Sequence, residues 1–237
     1  MRRFWKEVSF EQGTFGQGIL LDGRALKTPK KNALYLPTTA LAEAVAADWR
    51  AVGEVIDPAQ MPMTGFANAA IDHVATDRAT FVTQLASYAQ SDDFCYRAEG
   101  GDALAAKQAE VWGPWLDWAQ GRYDVSFTII EGVMHKPQPQ ATLETLRDAV
   151  SARGTFELAA MAKLAHLSSS LVAVLAIVEK VGDAKTLWQA CCLDELWQED
   201  LWGADHWALK NRADREAEFL AAARFLDLIH NNSGTVP

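Results

Sequence analysis

The chain reads as an α+β protein in two unequal parts: a small β-rich N-terminal part, then a mainly α-helical, orthogonal bundle-like C-terminal part. Three observations lead to that class. Residues 3–36 alternate with the period of a strand and are punctuated by Gly13, Gly16, Gly18 and the Asp22-Gly23 pair. After Thr64, apolar residues recur at helical spacing with few interruptions. Between the two, Asp57-Pro58 and Met61-Pro62 mark an extended connector. The expected division is therefore residues 1–58, a β-rich domain with one helix, and 59–237, a helical domain with one isolated strand near 125–130.

Taken in order, FWKEVSF alternates, and Asp22-Gly23 sits between ILL and RAL as a two-residue hairpin turn. Pro29 and the Lys30-Lys31-Asn32 turn lead into a short strand at Ala33–Leu36. Pro37-Thr38-Thr39 opens a helix capped by a threonine, carried by Leu41, Ala44 and Val45 to Val52 and stopped by Gly53. Helices are expected from Thr64 to Val74 and from Arg78 to Gln90, the second capped by Asp77. SDDFCYR, residues 91–97, breaks the helical pattern; Asp102 then starts a helix to Gly121 that carries Trp112, Trp115 and Trp118. Val125–Ile130, VSFTII, is β-branched and bounded by turn residues, hence the lone strand. Helices follow at Pro139–Ala152, over one long span Phe156–Lys180, from Asp183 to Trp202, and at Trp207–Ile229, with a frayed tail after them.

Composition excludes several classes. Apolar content of 49% and charged content of 22% belong to a globular chain of 237 residues, not a disordered one. A net charge of −9 disfavours nucleic acid and anionic membrane, which attract basic surfaces. Cys95, Cys191 and Cys192 suit neither a disulfide framework nor a zinc site, and a reducing compartment fits them. The N-terminus, MRRFWKEVSF, lacks a secretory h-region and a long transit segment, so the chain is expected to be complete and cytoplasmic. The longest apolar run, Leu164–Val178, is too short for the roughly 20 residues of a membrane span.

Chemistry-bearing patterns are scarce. There is no GxSxG, and Ser168-Ser169-Ser170 falls inside an expected helix, where serines bond back to its carbonyls. His73, His135, His166, His206 and His230 make no HxxxH or HExxH pair, and no phosphate-binding glycine loop occurs. Asp72, Asp92, Asp93 and Asp205 are expected to be caps or solvated residues. A small-molecule enzyme would need a deep cleft lined by Asp92, Asp93, Glu195 and His73. Arg24, Lys27, Lys30 and Lys31 form a basic cluster, open to an anion or acidic partner but more simply an edge-strand guard against sheet pairing.

The densest chemistry lies in LWQACCLDELWQEDLWGAD, Leu187–Asp205. It holds Trp188, Trp197 and Trp202 and five carboxylates without a lysine or arginine. Read as one helix to Trp202 with Gly203 as its stop, it puts Trp188, Cys191, Cys192, Glu195, Glu199 and Trp202 on one stripe. Such a helix, apolar nearly all round, is buried or meets something on two faces. Glu195, on that apolar stripe and one turn from Glu199, needs a partner or a raised pKa. Its partner is an arginine just downstream, Arg212 or Arg215, or a group on another protein; spacing alone favours the intramolecular choice. Nine tryptophans is a high count for this size; most are expected in the core, and a residual exposed set would mark a recognition surface. These residues describe a non-catalytic binding protein.

Several stretches, in the same order and over nearly the whole chain, resemble the chaperone family that assembles the catalytic head of the F-type ATP synthase, in particular the member that handles the alpha subunit. They are LDGRALKTPKK (Leu21–Lys31), IDPAQMPMT (Ile56–Thr64), ANAAIDHV (Ala67–Val74), FCYRAE (Phe94–Glu99), QAEVWGPWLDWA (Gln108–Ala119) and DELWQEDLWGAD (Asp194–Asp205). The resemblance implies an α+β protein that binds free alpha before alpha and beta pair, with no catalysis and no cofactor; no metal site is expected from the residues. It also implies that an acidic residue of the DELWQ segment matters, which maps onto Asp194 or Glu195; the helical wheel points to Glu195. Partner binding is accordingly expected at Glu195, Asp194, Trp197, Gln198 and Trp202. The chain departs from the pattern at Ser169, where a glycine is expected, and at Gly113, where an aspartate is frequent. With no targeting extension, it is expected to act in a bacterial cytoplasm, where related members act in the mitochondrial matrix.

Overall fold

The alternating N-terminal sequence folds as an antiparallel hairpin, β1 (Val8–Gly13) against β2 (Gly16–Leu21), with Val8 opposite Leu21 and Gly13 opposite Gly16. A computed structural model describes residues 2–231 of the chain; the tail read as frayed lies almost wholly outside them. Asp22 and Gly23 both adopt positive φ, 48° and 76°, which is the backbone a tight two-residue turn demands. They reverse the chain into β3 (Arg24–Ala25). The Asp22 carboxylate also accepts the Lys6 and Glu7 amides, fixing the entry to β1. The fourth strand, β4 (Tyr35–Leu36), pairs with β2 and not with β3, so the order is no simple meander.

Helix α1 (Thr39–Ala51) begins where Thr38 accepts the Leu41 amide, and it buries Leu41, Ala42, Ala44, Val45 and Ala46 against the sheet. Pro62 opens α2 (Pro62–Ala69), two residues ahead of the start expected at Thr64, and the helix widens into a π turn over Ala70–Val74. That turn places Asp72 under the Thr28–Asn32 loop. Asp72 accepts from the Thr28 hydroxyl (2.6 Å), the Lys30 amide (3.0 Å) and the Asn32 amide group (2.8 Å). The Lys30 ammonium meanwhile donates to the Asp72 carbonyl. One of the four basic residues, Lys30, is thus spent shaping a loop, and all four of Arg24, Lys27, Lys30 and Lys31 stay exposed.

The remaining strands are two-residue stubs, β5 (Tyr96–Arg97) and β6 (Ile130–Glu131), paired in parallel. The strand expected at Val125–Ile130 is therefore corrected: only its last residue pairs as strand. Ser126 and Thr128 take side chains, not a neighbouring strand, as their hydrogen-bond partners. Gln138 accepts from the Thr128 amide and donates to its carbonyl, and Thr142 does the same for Ser126.

The helices are α3 (Arg78–Ser87), α4 (Ala103–Tyr123), α5 (Gln140–Ser151), α6 (Thr155–Ser168), α7 (Leu171–Val178), α8 (Ala184–Cys191), α9 (Leu193–Trp202) and α10 (His206–His230). The long helix expected over Phe156–Lys180 is two. Ser169 turns to φ 50° and the Ser170 hydroxyl accepts the Ala173 amide, so the serines make an inter-helix turn with an N-cap. Every residue of α7 is buried, and it packs against α4 and α8. Asp92, fully buried, accepts the Phe94 and Val172 amides and so ties the 92–95 turn to the start of α7.

Contacts along the chain group it into two compact units, and these do not follow a division at 58/59. One comprises the chain up to Arg78, Gly154–Ala160 and the residues from Ala221 onward; the other comprises Ala79–Arg153 and Met161–Leu220. Late segments rejoin the first unit: Phe156 stacks on Phe225, Phe66 packs against the same ring at a tilt, and Thr38 donates to the Leu228 carbonyl.

Candidate functional site

The helix expected to run unbroken to Trp202 breaks at Cys192, whose backbone (φ −95°, ψ 10°) ends α8. The physical reason comes from another element. Trp112, buried on α4 and stacked on Phe94, donates its indole N–H to the Ala190 carbonyl at 2.8 Å. A side chain inserted at a helix carbonyl interrupts the ladder and turns the axis. The single stripe from Trp188 to Trp202 is lost with it. Trp188 is buried against Phe219, whereas Trp202 is 78% exposed, so the stretch is buried only at its start.

Helix α9 then runs outward to Gly203, which takes φ 89° and lets the chain reverse within three residues into α10. Asp205 accepts the Ala208 amide and caps that helix. Between the two helices lies an open groove of ≈ 510 Å³ whose lining includes Glu195, Gln198, Glu199, Trp202, Arg212 and Arg215. Glu195 is held there by Arg215, which reaches both of its oxygens at 2.7 and 2.6 Å. The same guanidinium lies over the Trp188 ring at 5.5 Å, so the cation is shared between a carboxylate and an aromatic face. Arg212 pairs with Glu199 one turn further out. The arginines just downstream are thus the partners, one each for the two carboxylates.

The five expected contact residues separate. Glu195, Gln198 and Trp202 line the groove together. Asp194 instead accepts from Gln108 at 2.8 Å, and Gln108, itself buried, accepts the Ala98 amide. Trp197 is half-buried and does not line the groove. The sequence reading missed the far side of the turn: Trp207 is 75% exposed and Leu201 60% exposed. A usable signal was present, since Trp207 comes four residues after the Gly203 stop and lies ahead of the apolar periodicity that leads to Phe219.

A second groove of ≈ 620 Å³ lies on the other flank of α9, lined by Val111, Pro114, Trp115, Trp188, Leu193 and Leu196 among others. Of the residues that an enzyme cleft would have needed, Glu195 is held by Arg215 and Asp92 by backbone amides. Asp92 is enclosed by backbone donors, and burial raises its carboxyl to about 6. Asp93 beside it is exposed as a residue, yet its carboxyl is raised to about 7, by desolvation and then by the negative charges of Asp92 and Asp194. Burial, then the charge of Glu195, pushes the Cys192 thiol to about 12, which leaves it unreactive. His73 belongs to the other compact unit. Among the described residues no cluster of His, Cys, Asp or Glu is arranged to hold a metal ion, and no helix is long and apolar enough to cross a membrane.

Comparison with known proteins adds the lineage. Residues 2–120 match the model of a family described as ATP12 chaperone protein. The chain is 39% identical to the crystal structure of Atp12 from Paracoccus denitrificans, covering 96% of this chain and 98% of that one, with a TM-score of 0.92. A protein from Agrobacterium tumefaciens, named as a candidate chaperone, is 35% identical over 95% of this chain and 85% of its own, with a TM-score of 0.91. Protein atp12, mitochondrial, from Schizosaccharomyces pombe is 24% identical over 98% of this chain and 85% of its own length.

Proposed function

The chain belongs to the ATP12 chaperone family, and from that premise we propose that it binds the free alpha subunit of the F-type ATP synthase catalytic head, in a bacterial cytoplasm, and keeps it assembly-competent until beta arrives. An unpaired alpha subunit exposes a surface built to be buried, and large apolar patches aggregate. A binder that covers that surface holds the subunit in solution, and a better-matched partner displaces it by mass action. The observation that carries the reading, beyond lineage, is the groove of α9 and α10, in which an oriented carboxylate, Glu195, stands beside an exposed tryptophan, Trp202. The tryptophan supplies apolar area, and the carboxylate sets register and disfavours wrong partners. The work is shielding, with no covalent step: Asp92, the fully buried carboxylate of this unit, is spent on backbone amides.

Co-expression with the alpha polypeptide alone tests this. Alpha is expected in the soluble fraction only when this protein is present. Alpha that aggregates equally with and without it would refute the reading. Within that assay, Glu195→Gln is expected to fold normally and capture less alpha; a variant that unfolds while its folded fraction binds normally would assign the carboxylate to structure.

A further inference from the structure

The turn joining α9 to α10 carries more exposed apolar surface than its fold requires. Leu201 is 60% exposed, Trp202 78%, Trp207 75% and Leu209 38%, all within nine consecutive residues, and every residue from 201 to 211 is exposed. Tryptophan gains most from burial and is among the residues most enriched where proteins bind one another. Two placed in water at the end of a helical hairpin are a cost that folding does not recover. The groove that Trp202 lines also includes Asp205, Ala208 and Asn211, so both helices contribute to one surface.

Charge narrows the occupant. From Leu193 to Leu209 the chain has five carboxylates and no lysine or arginine. Asp194, Glu195 and Glu199 are engaged by Gln108, Arg215 and Arg212. Asp205 spends one oxygen on a backbone amide, and Asp200 stands exposed with no partner among the described residues. The apolar tip is therefore bordered by negative charge that the chain itself leaves uncompensated.

We propose that the α9–α10 turn is a docking surface for a polypeptide segment that presents large apolar side chains flanked by lysine or arginine. The segment's apolar residues cover Leu201, Trp202, Trp207 and Leu209, and its cations face Asp200 and Asp205. This rests on the reading that the protein binds another polypeptide, and it names the chemistry of the segment bound.

The probe is a labelled amphipathic peptide of leucine and lysine, set against leucine–glutamate and leucine–serine versions of the same length, titrated with the full chain and read by fluorescence anisotropy. The basic peptide is expected to bind at least about tenfold more tightly than the acidic one, with the preference shrinking as salt screens the charges. The double variant Trp202→Ser/Trp207→Ser and the single variant Asp200→Lys are each expected to weaken it at least about tenfold while circular dichroism and Tm stay unchanged. Equal binding of the acidic and basic peptides, no binding of either, or undiminished binding by both variants would overturn the proposal. Because no alpha subunit enters this titration, a failure of alpha capture in co-expression would count against the function proposed above and leave the peptide result standing.

Discussion

Ser169 is the clearest case of a single residue working against its backbone. A side chain at φ 50° costs about 1–2 kcal/mol, and glycine there relieves that but loses about 0.5–1 kcal/mol of unfolded-chain entropy. Ser169→Gly is therefore expected to stabilise the protein by about 0.5–1 kcal/mol and raise Tm by about 1–3 °C, read by calorimetry. A lower Tm would mean that the serine side chain makes a compensating contact. Asp93 offers a second test. Its carboxyl, raised to about 7 by burial and by the charges of Asp92 and Asp194, costs stability once ionised. The native state then holds the proton more tightly than the unfolded one, so stability is lost as pH rises from about 4 through about 7. Asp93→Asn is expected to raise Tm at pH 8 and to leave it nearly unchanged at pH 4. An equal gain at both pH values would separate the effect from ionisation. Glu195, half exposed and holding one Arg215 nitrogen with both oxygens, contributes about 0.2–1 kcal/mol, so its loss is expected to show in partner capture far more than in Tm.

At the scale of elements, the break between α8 and α9 does the most to create the candidate surface. It turns what the sequence presents as one tryptophan-lined helix into a buried anchor and an exposed arm. Trp112→Phe keeps the ring stacked on Phe94 but removes the donor at Ala190. The expected cost is about 1–3 kcal/mol for a buried carbonyl left without that bond, measured by chemical denaturation; an unchanged midpoint would show that the indole N–H is dispensable there. The extended segment 125–129 rests on borrowed partners in the same way. Thr142→Val removes both hydrogen bonds to Ser126 and is expected to speed amide exchange there while Thr128, held by Gln138, stays protected.

Across the whole molecule the titrating carboxylates fall into two opposed sets. Asp48, Asp92 and Asp93 are raised by burial, so they withdraw stability as pH climbs above the ordinary aspartate range, Asp92 up to about 6 and Asp93 up to about 7. Burial pushes Asp72 and Glu179 the same way, but donors outweigh it: Thr28, Lys30 and Asn32 hold Asp72 low, and Arg153 and Arg122 hold Glu179 low. Those two contribute stability that is present above the ordinary aspartate and glutamate range and lost as pH falls below it. Stability is therefore expected to be highest near pH 4, above the loss from the lowered set and before most of the loss from the raised set; a Tm that climbs steadily from pH 5 to pH 8 would contradict this balance.

Local interactions were legible because they reach only a few residues along the chain. The type of turn at Asp22-Gly23, the caps at Thr38, Asp102 and Asp183, and the α+β class all follow from neighbours in sequence. The pairing of Glu195 with an arginine just downstream was legible too, because the turn between them is short. What escaped depends on groups brought from far away. Trp112 breaks a helix some eighty residues later, Gln138 and Thr142 stand in for a strand, and Gln108 withdraws Asp194 from the groove. The amino-acid order thus determined which residues carry apolar area and charge. The tertiary structure alone decided which of those were buried as packing and which were left in solvent to be covered by a partner, because burial is settled by the whole set of packed elements and not by neighbours in sequence.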